Sequence, residues 1–98
     1  MNLENLKNDL IKYCNENNID VEDVKFKNSA EWFEFKGYEA DGGFSYESSG
    51  LYRILNFLDV AGDFSYSKKH LEAIERIFDK NGFWYEPCDN CSSAIFKI

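Results

Sequence analysis

The first part of the chain places apolar residues at steps of three and four positions. This spacing predicts an amphipathic helix of about four turns, capped by Asn2 and ending near Asn17. Its apolar stripe consists of Leu3, Leu6, Leu10 and Cys14. Because Cys14 belongs to this stripe, we interpret it as a small buried core residue.

Between residues 21 and 48 the apolar period changes to two, which is typical of strands with one buried face. Three short strands are predicted here, around residues 24–26, 33–35 and 44–46, with a glycine-containing turn before the third. In the second of these strands, Trp32 falls on the face opposite the phenylalanines. Either both faces of that strand are covered, or Trp32 is exposed and available as a binding anchor.

The remainder of the chain predicts two further helices and two further strands. Apolar residues again recur at steps of three and four after Ser49, which predicts a helix that ends near Gly62. The same spacing resumes at Ser67, a capping residue, and stops at Gly82. Two aromatic or aliphatic runs, FWY and AIFKI, then predict strands on either side of the sequence EPCDNCSS.

These elements follow one another in the order α-β-β-β-α-α-β-β. In a chain of 98 residues, this order predicts a single α+β domain spanning residues 1–98. We expect three helices packed on a mostly antiparallel sheet of four or five strands. No apolar run approaches the roughly 20 residues of a membrane-spanning helix, and the first residues do not resemble a signal peptide. We therefore expect a cytoplasmic protein with reduced cysteines and no membrane association.

Cys88 and Cys91 have the spacing of one half of a zinc site. A structural zinc ion needs four ligands, and the other sulfur and imidazole candidates are Cys14 and His70. Those two residues lie on separate predicted helices, and no second pair has a regular spacing. We therefore expect neither zinc nor any other cofactor.

The same two cysteines do not have the context of a redox pair. A thioredoxin-like pair opens a helix, whose N-terminus lowers the thiol pKa, whereas a strand follows Cys91 here. We interpret the segment as a β-turn with Asp89 and Asn90 at its centre. His70 is the only histidine, and no nucleophile, metalloprotease, phosphate-binding or dinucleotide-binding motif occurs. The chain is therefore predicted not to be an enzyme.

The chain is acidic, with a formal net charge of −7 at pH 7. Direct binding to nucleic acid is disfavoured, because Lys and Arg must neutralise phosphates. Between residues 37 and 63, five acidic residues stand against one base, Arg53, which makes a balance of −4. These carboxylates either form a solvated face that keeps the protein soluble or steer a basic partner toward it.

Aromatic residues make up 17% of the chain, and several alternate with the carboxylates. Tyr and Trp anchor protein interfaces, while carboxylates accelerate association with a basic partner. We therefore expect the chain to bind a basic protein surface. The candidate partner-binding residues are Trp32, Glu34, Tyr38, Glu39, Asp41, Tyr46 and Glu47.

These features favour a non-enzymatic inhibitor of a nucleic-acid-processing host protein or complex. Anti-CRISPR and other anti-defence proteins, including nucleic-acid mimics, are of this general kind, which is an analogy of type rather than a family resemblance. Lysine greatly outnumbers arginine, a codon-related bias that favours a low-GC bacterium, its phage or a mobile element as the source. The alternatives are a toxin-immunity protein and a small-molecule or nucleotide-binding module whose aromatic residues line a pocket.

Overall fold

The computed structural model describes residues 2–57 and 64–98. This part of the chain contains four helices and four strands, so the predicted α+β class is confirmed. None of the described helices is long and apolar enough to cross a membrane. The elements are α1 (Leu3–Glu16), β1 (Lys25–Asn28), α2 (Ser29–Lys36), β2 (Gly42–Ser45), α3 (Leu51–Leu55), α4 (Ser65–Lys80), β3 (Phe83–Asp89) and β4 (Ser92–Lys97).

The four strands form one sheet in the order β1-β2-β4-β3, in which every neighbouring pair is antiparallel. The helices α1 and α4 pack on one side, which we call the inner face, and this packing builds the core. Its buried members alternate along the strands and recur along the helices, as the two periods require. They include Leu6, Leu10, Phe44, Ile74, Phe78 and Ile95.

The ends of α1 confirm the sequence signals. The Asn2 side chain accepts a hydrogen bond from the Glu4 N–H at 2.8 Å. After the last turn, Asn18 adopts a left-handed backbone with φ of 58°, a conformation that asparagine tolerates better than most residues. Gly82 provides the corresponding stop after α4, with φ of 81°.

The other two helix starts differ in detail from the predictions. Helix α4 begins at Ser65 with Phe64 at the capping position, and Ser67 is buried within the first turn rather than capping it. At α3 the capping position is Gly50, one residue after the predicted serines, although Ser49 Oγ accepts from the Leu51 N–H at 3.1 Å. The described helix ends at Leu55, and the predicted end near Gly62 lies outside the described residues.

The predicted second strand is wrong, because residues 29–36 form the helix α2. The reason is local capping. Asn28 Oδ1 accepts from the Glu31 N–H at 2.9 Å, while Glu31 Oε1 accepts from the Asn28 N–H at 2.8 Å. This reciprocal capping box satisfies the first turn, and Gly37, with φ of 83°, ends the helix. Apolar alternation over a few residues does not outweigh these two signals.

Helix α2 lies on the other side of the sheet, which we call the outer face. Its Trp32 is fully buried against β2. A Cβ atom on Gly43 would stand 2.0 Å from Trp32 Cε3, so the indole occupies the space above the glycine backbone. Gly42 and Gly43, which were predicted to form a turn, are therefore strand residues. The glycine leaves room for a tryptophan on the outer face.

The predicted turn between β3 and β4 is present, one residue later than expected. Asp89 pairs with Ser92, so the turn consists of Asn90 and Cys91, and a bulge interrupts the ladder between Pro87 and Asp89. The extra residue at the bulge moves the centre of the turn by one position. The spacing of the two cysteines in the sequence does not show this bulge.

Candidate protein-binding surface

Helix α2 covers the outer face only in part, and aromatic side chains remain exposed on both sides of it. Phe35 is 48% exposed, Tyr38 is 40% exposed and Trp84 is 44% exposed. Phe96 stacks on Trp84 with ring centroids 4.8 Å apart. We call these four residues the outer aromatic surface. A folded protein rarely leaves so many large rings in water without a partner for them.

Buried and paired residues hold this surface in place. Trp32 makes edge-to-face contacts with Phe35 and Tyr38, at centroid distances of 5.7 and 6.0 Å. Trp84 and Phe96 face each other directly in the β3–β4 register. Since aromatic cross-strand pairs stabilise a sheet and buried rings restrict their neighbours, the exposed rings are preorganised.

Carboxylates border the surface on the side of β3 and β4. Glu34, Glu39 and Glu86 are all exposed. Glu39 lines a shallow depression of about 340 Å³ together with Phe96. The pKa of Tyr38 is raised, first by partial desolvation and then by the nearby Cys88 thiol and by other groups that include Glu86. Aromatic rings and acidic groups therefore share one side of the molecule.

At the opposite end of the outer face, lysines contact an aromatic ring. The Lys27 and Lys36 ammonium groups each lie 4.6 Å from the centroid of the Phe35 ring, within the range of a cation–π contact. Lys36 also forms an ion pair of 2.6 Å with Asp89. Both charge signs therefore meet at this end of the outer face, where Lys36 shares a cavity with Glu47 and Asp89.

Two predicted anchors are not at the surface. Trp32 is 0% exposed and Tyr46 is 1% exposed, so the prediction that they contact a partner directly is wrong. Trp32 is buried because α2 presses it onto β2. Tyr46 lies on the inner face, where its hydroxyl shares a hydrogen bond of 2.8 Å with Ser93 Oγ and burial raises its pKa.

The predicted carboxylates divide into two groups. Glu39, which follows Tyr38, lines one depression together with Asp41, whereas Glu34 is exposed on α2. The Asp41 Oδ2 atom accepts from the Lys97 N–H at 2.8 Å, which gives this residue a structural role. Glu47 lies elsewhere, in a polar cavity with Cys91. The structure therefore brings Glu39 and Asp41 together, next to Tyr38 in the chain, and places Glu47 in a different cavity.

Sequence reasoning missed the exposed rings of Phe35 and Trp84, and the half-buried ring of Phe96, as binding candidates. A signal for Trp84 was present, because strand alternation in Phe83-Trp84-Tyr85 places the tryptophan opposite the core face. Phe35 was missed because a strand, rather than a helix, was predicted for its segment.

The surroundings of Cys14, Cys91 and His70 disfavour the charged forms of their side chains. Burial raises the pKa of Cys14 to about 11, and partial desolvation raises that of Cys91, so both remain thiols near neutral pH. His70 is buried, with Nδ1 2.7 Å from the Tyr13 hydroxyl. Within residues 2–57 and 64–98, no three His, Cys, Asp or Glu side chains are grouped to hold a metal ion.

Comparison with protein-family models, with curated proteins and with solved structures found no match to this chain. The geometry of the described residues is therefore the basis for a functional assignment. Exposed aromatic rings beside carboxylates, packed on a buried tryptophan, have the composition of a binding surface.

Proposed function

We propose that this chain is a non-enzymatic binding protein that engages a basic protein through the outer aromatic surface. The supporting observation is the stacked pair of Trp84 and Phe96, half-open to solvent and bordered by Glu39 and Glu86. Aromatic rings of this kind contribute most of the binding energy at an interface, whereas bordering charges accelerate association and select the partner.

The proposed partner is a nucleic-acid-processing protein or complex of a bacterial host, which the chain inhibits in the cytoplasm. Proteins of that class display Lys and Arg where they hold phosphates. A net charge of −7 attracts such a surface, and the carboxylates of the outer face take the positions of phosphates on it. An origin in a phage or mobile element, as in anti-defence proteins, is part of this proposal.

The test is affinity capture from bacterial lysate, followed by binding measurements with the purified partner at several salt concentrations. Replacing Glu34, Glu39 and Glu86 together by Lys should slow association strongly and abolish its salt dependence. Trp84→Ala should raise Kd by about 30-fold, the equivalent of about 2 kcal/mol for an anchor residue.

Matched controls separate the surface from general effects of charge and side-chain truncation. Replacing Glu16, Glu22 and Glu72 by Lys changes the net charge equally, away from the outer face. Phe57→Ala removes a ring that is 40% exposed and stacks on Phe64 instead. If the two sets of Glu→Lys variants bind the partner equally, or if no captured protein carries a basic surface, the proposal is refuted.

A second candidate function is small-molecule binding, favoured by the polar cavity that contains Glu47. This cavity has a volume of about 500 Å³ and combines lysines, carboxylates and hydroxyls beside one aromatic ring, a lining suited to a polar ligand. A thermal-shift screen with nucleotides and signalling molecules distinguishes the two. A specific rise in Tm that is lost in Lys25→Ala would favour the small-molecule function, because only a ligand held in this cavity depends on that lysine.

A further inference from the structure

The sheet has two edges, and they differ in how they are protected. At one edge, β1 is only four residues long and carries Lys25 and Lys27, the charged side chains that commonly prevent edge-to-edge pairing. At the other edge, β3 is seven residues long and begins with Phe83-Trp84-Tyr85. The apolar first half of this edge strand carries no charge or proline, so it favours the addition of another strand.

The hydrogen-bond pattern shows which backbone groups of β3 point outward. The Ile98 N–H donates to the Gly82 oxygen, and on the other side of β4 the Tyr46 N–H donates to the Cys91 oxygen. Since bonding alternates along an antiparallel ladder, β4 bonds to Trp84 and Glu86 of β3. Phe83 and Tyr85 therefore direct their N–H and C=O groups away from β4. Among the described residues, no bond outside the sheet satisfies these groups.

An apolar groove runs beside this free edge. It lies between α4 and β3 and has a volume of about 490 Å³. Leu71 and Phe78 from α4 face Phe83, Tyr85 and Pro87 from the strand across it. A peptide added to β3 would project every second side chain into this groove, because side chains alternate between the two faces of a strand.

The charge of the groove selects its occupant. Glu75 and Asp79 line the wall formed by α4, and no Lys or Arg is among its described lining residues. The stretch of β3 that can bond to an added strand ends at Pro87, which has no N–H to donate, and at the bulge between Pro87 and Asp89. The available edge thus accommodates a short segment with apolar and basic residues in alternation.

We propose that β3 and the adjacent groove form a strand-addition site for an extended basic-apolar peptide segment of a partner protein. Main-chain bonds to Phe83 and Tyr85 supply the affinity, and the groove with its two carboxylates supplies the selectivity. This site is distinct from the acidic border of the outer aromatic surface, although Trp84 lies at the rim of both.

The probe is a blocked synthetic peptide in which every second residue is Thr and the intervening residues alternate between Val and Lys. In an extended peptide of this sequence, the Val and Lys side chains all lie on the face that meets the groove, and the Thr side chains lie on the other face. On titration into the ¹⁵N-labelled full chain, the amide signals of Phe83 and Tyr85 should shift, and their hydrogen exchange should slow. A peptide with Glu in place of Lys should bind about tenfold more weakly, since two opposed charges are replaced by like charges.

Variants on α4 test the two carboxylates without disturbing the core. Glu75 and Asp79 are exposed, so the double change to Lys should leave the circular-dichroism spectrum unchanged and reverse the preference between the Lys and Glu peptides. The matched control replaces Glu16 and Glu22 by Lys, which changes the net charge equally and should leave the preference as it is.

Three results would overturn the proposal. The first is that the Lys peptide leaves the amides of Phe83 and Tyr85 unshifted at millimolar concentration. The second is equal binding of a peptide methylated at alternate backbone nitrogens, because strand addition requires those N–H groups. The third is a dimer, seen by sedimentation equilibrium, that protects the same amides without peptide. In that case a second copy of this chain occupies the edge.

Discussion

At the scale of single residues, Asp89 joins three parts of the molecule through one carboxylate. Its Oδ2 atom pairs with the Lys36 ammonium at 2.6 Å, and its Oδ1 atom accepts from the Cys91 N–H and the Ser92 hydroxyl at 2.8 and 2.9 Å. The bond to Lys36 is the main cause that holds the pKa of Asp89 at about 2. One side chain thus orders the turn and attaches α2 to it.

This arrangement predicts an acid-dependent loss of stability. The folded-state pKa lies below the ordinary value of 3.8, so the unfolded chain takes up a proton first as the pH falls. The stabilisation from Asp89 should be complete above about pH 4 and should disappear as the pH approaches 2. Because the Asp89 side chain is 44% exposed, solvent screening limits the ion pair to about 0.2–1 kcal/mol.

Urea denaturation of Asp89→Asn at several pH values checks this prediction. The variant should be less stable than the parent at pH 6 and should approach it near pH 2. Glu22→Gln removes an exposed carboxylate without a described ion pair and serves as the control. If the difference in free energy of unfolding between Asp89→Asn and the parent stayed constant over this pH range, the lowered pKa of Asp89 would be contradicted.

At the scale of elements, α2 shows a conflict between two signals in the same residues. Alternation of Phe33 and Phe35 with polar residues predicted a strand. However, Asn28 and Glu31 form a capping box and Gly37 supplies a left-handed stop. The capping residues were visible in the sequence, at the three-residue spacing typical of the motif. They prevail because they satisfy backbone groups locally, while a strand at this point would depend on a neighbour to pair with.

The capping box predicts the effect of Asn28→Ala. Loss of the Asn28 side chain leaves the Glu31 N–H without its acceptor, which should lower the free energy of unfolding by about 1 kcal/mol. Urea denaturation measures the change. Asn8→Ala, an exposed substitution within α1, is the matched control and should have little effect or a slightly stabilising one, since Ala has the higher helix propensity. Equal losses for the two variants would exclude a specific capping role.

At the scale of the whole molecule, the two faces of the sheet are covered unequally. The inner face packs against α1 and α4, whose buried residues form the main cluster. On the outer face, the covering helix among the described residues is α2. It is attached through Trp32 and the ion pair to Asp89, and its first turn is stabilised by the capping box. Fewer buried contacts mean a lower free energy of local opening.

We therefore expect α2 to open before the rest of the domain. In native-state hydrogen exchange, the amides of α2 should exchange through a local opening, while those of α4 around Ile74 and Phe78 should require global unfolding. In mild denaturant the two groups should keep separate opening energies. Identical opening energies for α2 and α4 would show instead that the outer layer unfolds together with the core.

The sequence alone determined the α+β class, the extent of α1, and the acidic character of the chain. These follow from local causes, namely periodicity, capping residues such as Asn2, and a charge count that folding does not change. The tertiary structure decided which aromatic rings are exposed. Trp32 is buried because Gly43, eleven positions later, leaves space for it on the sheet. Trp84 and Phe96 become one surface because β3 and β4 bring them opposite each other. Whether a side chain is buried depends on which distant segment packs against it, and a local sequence pattern does not contain that information.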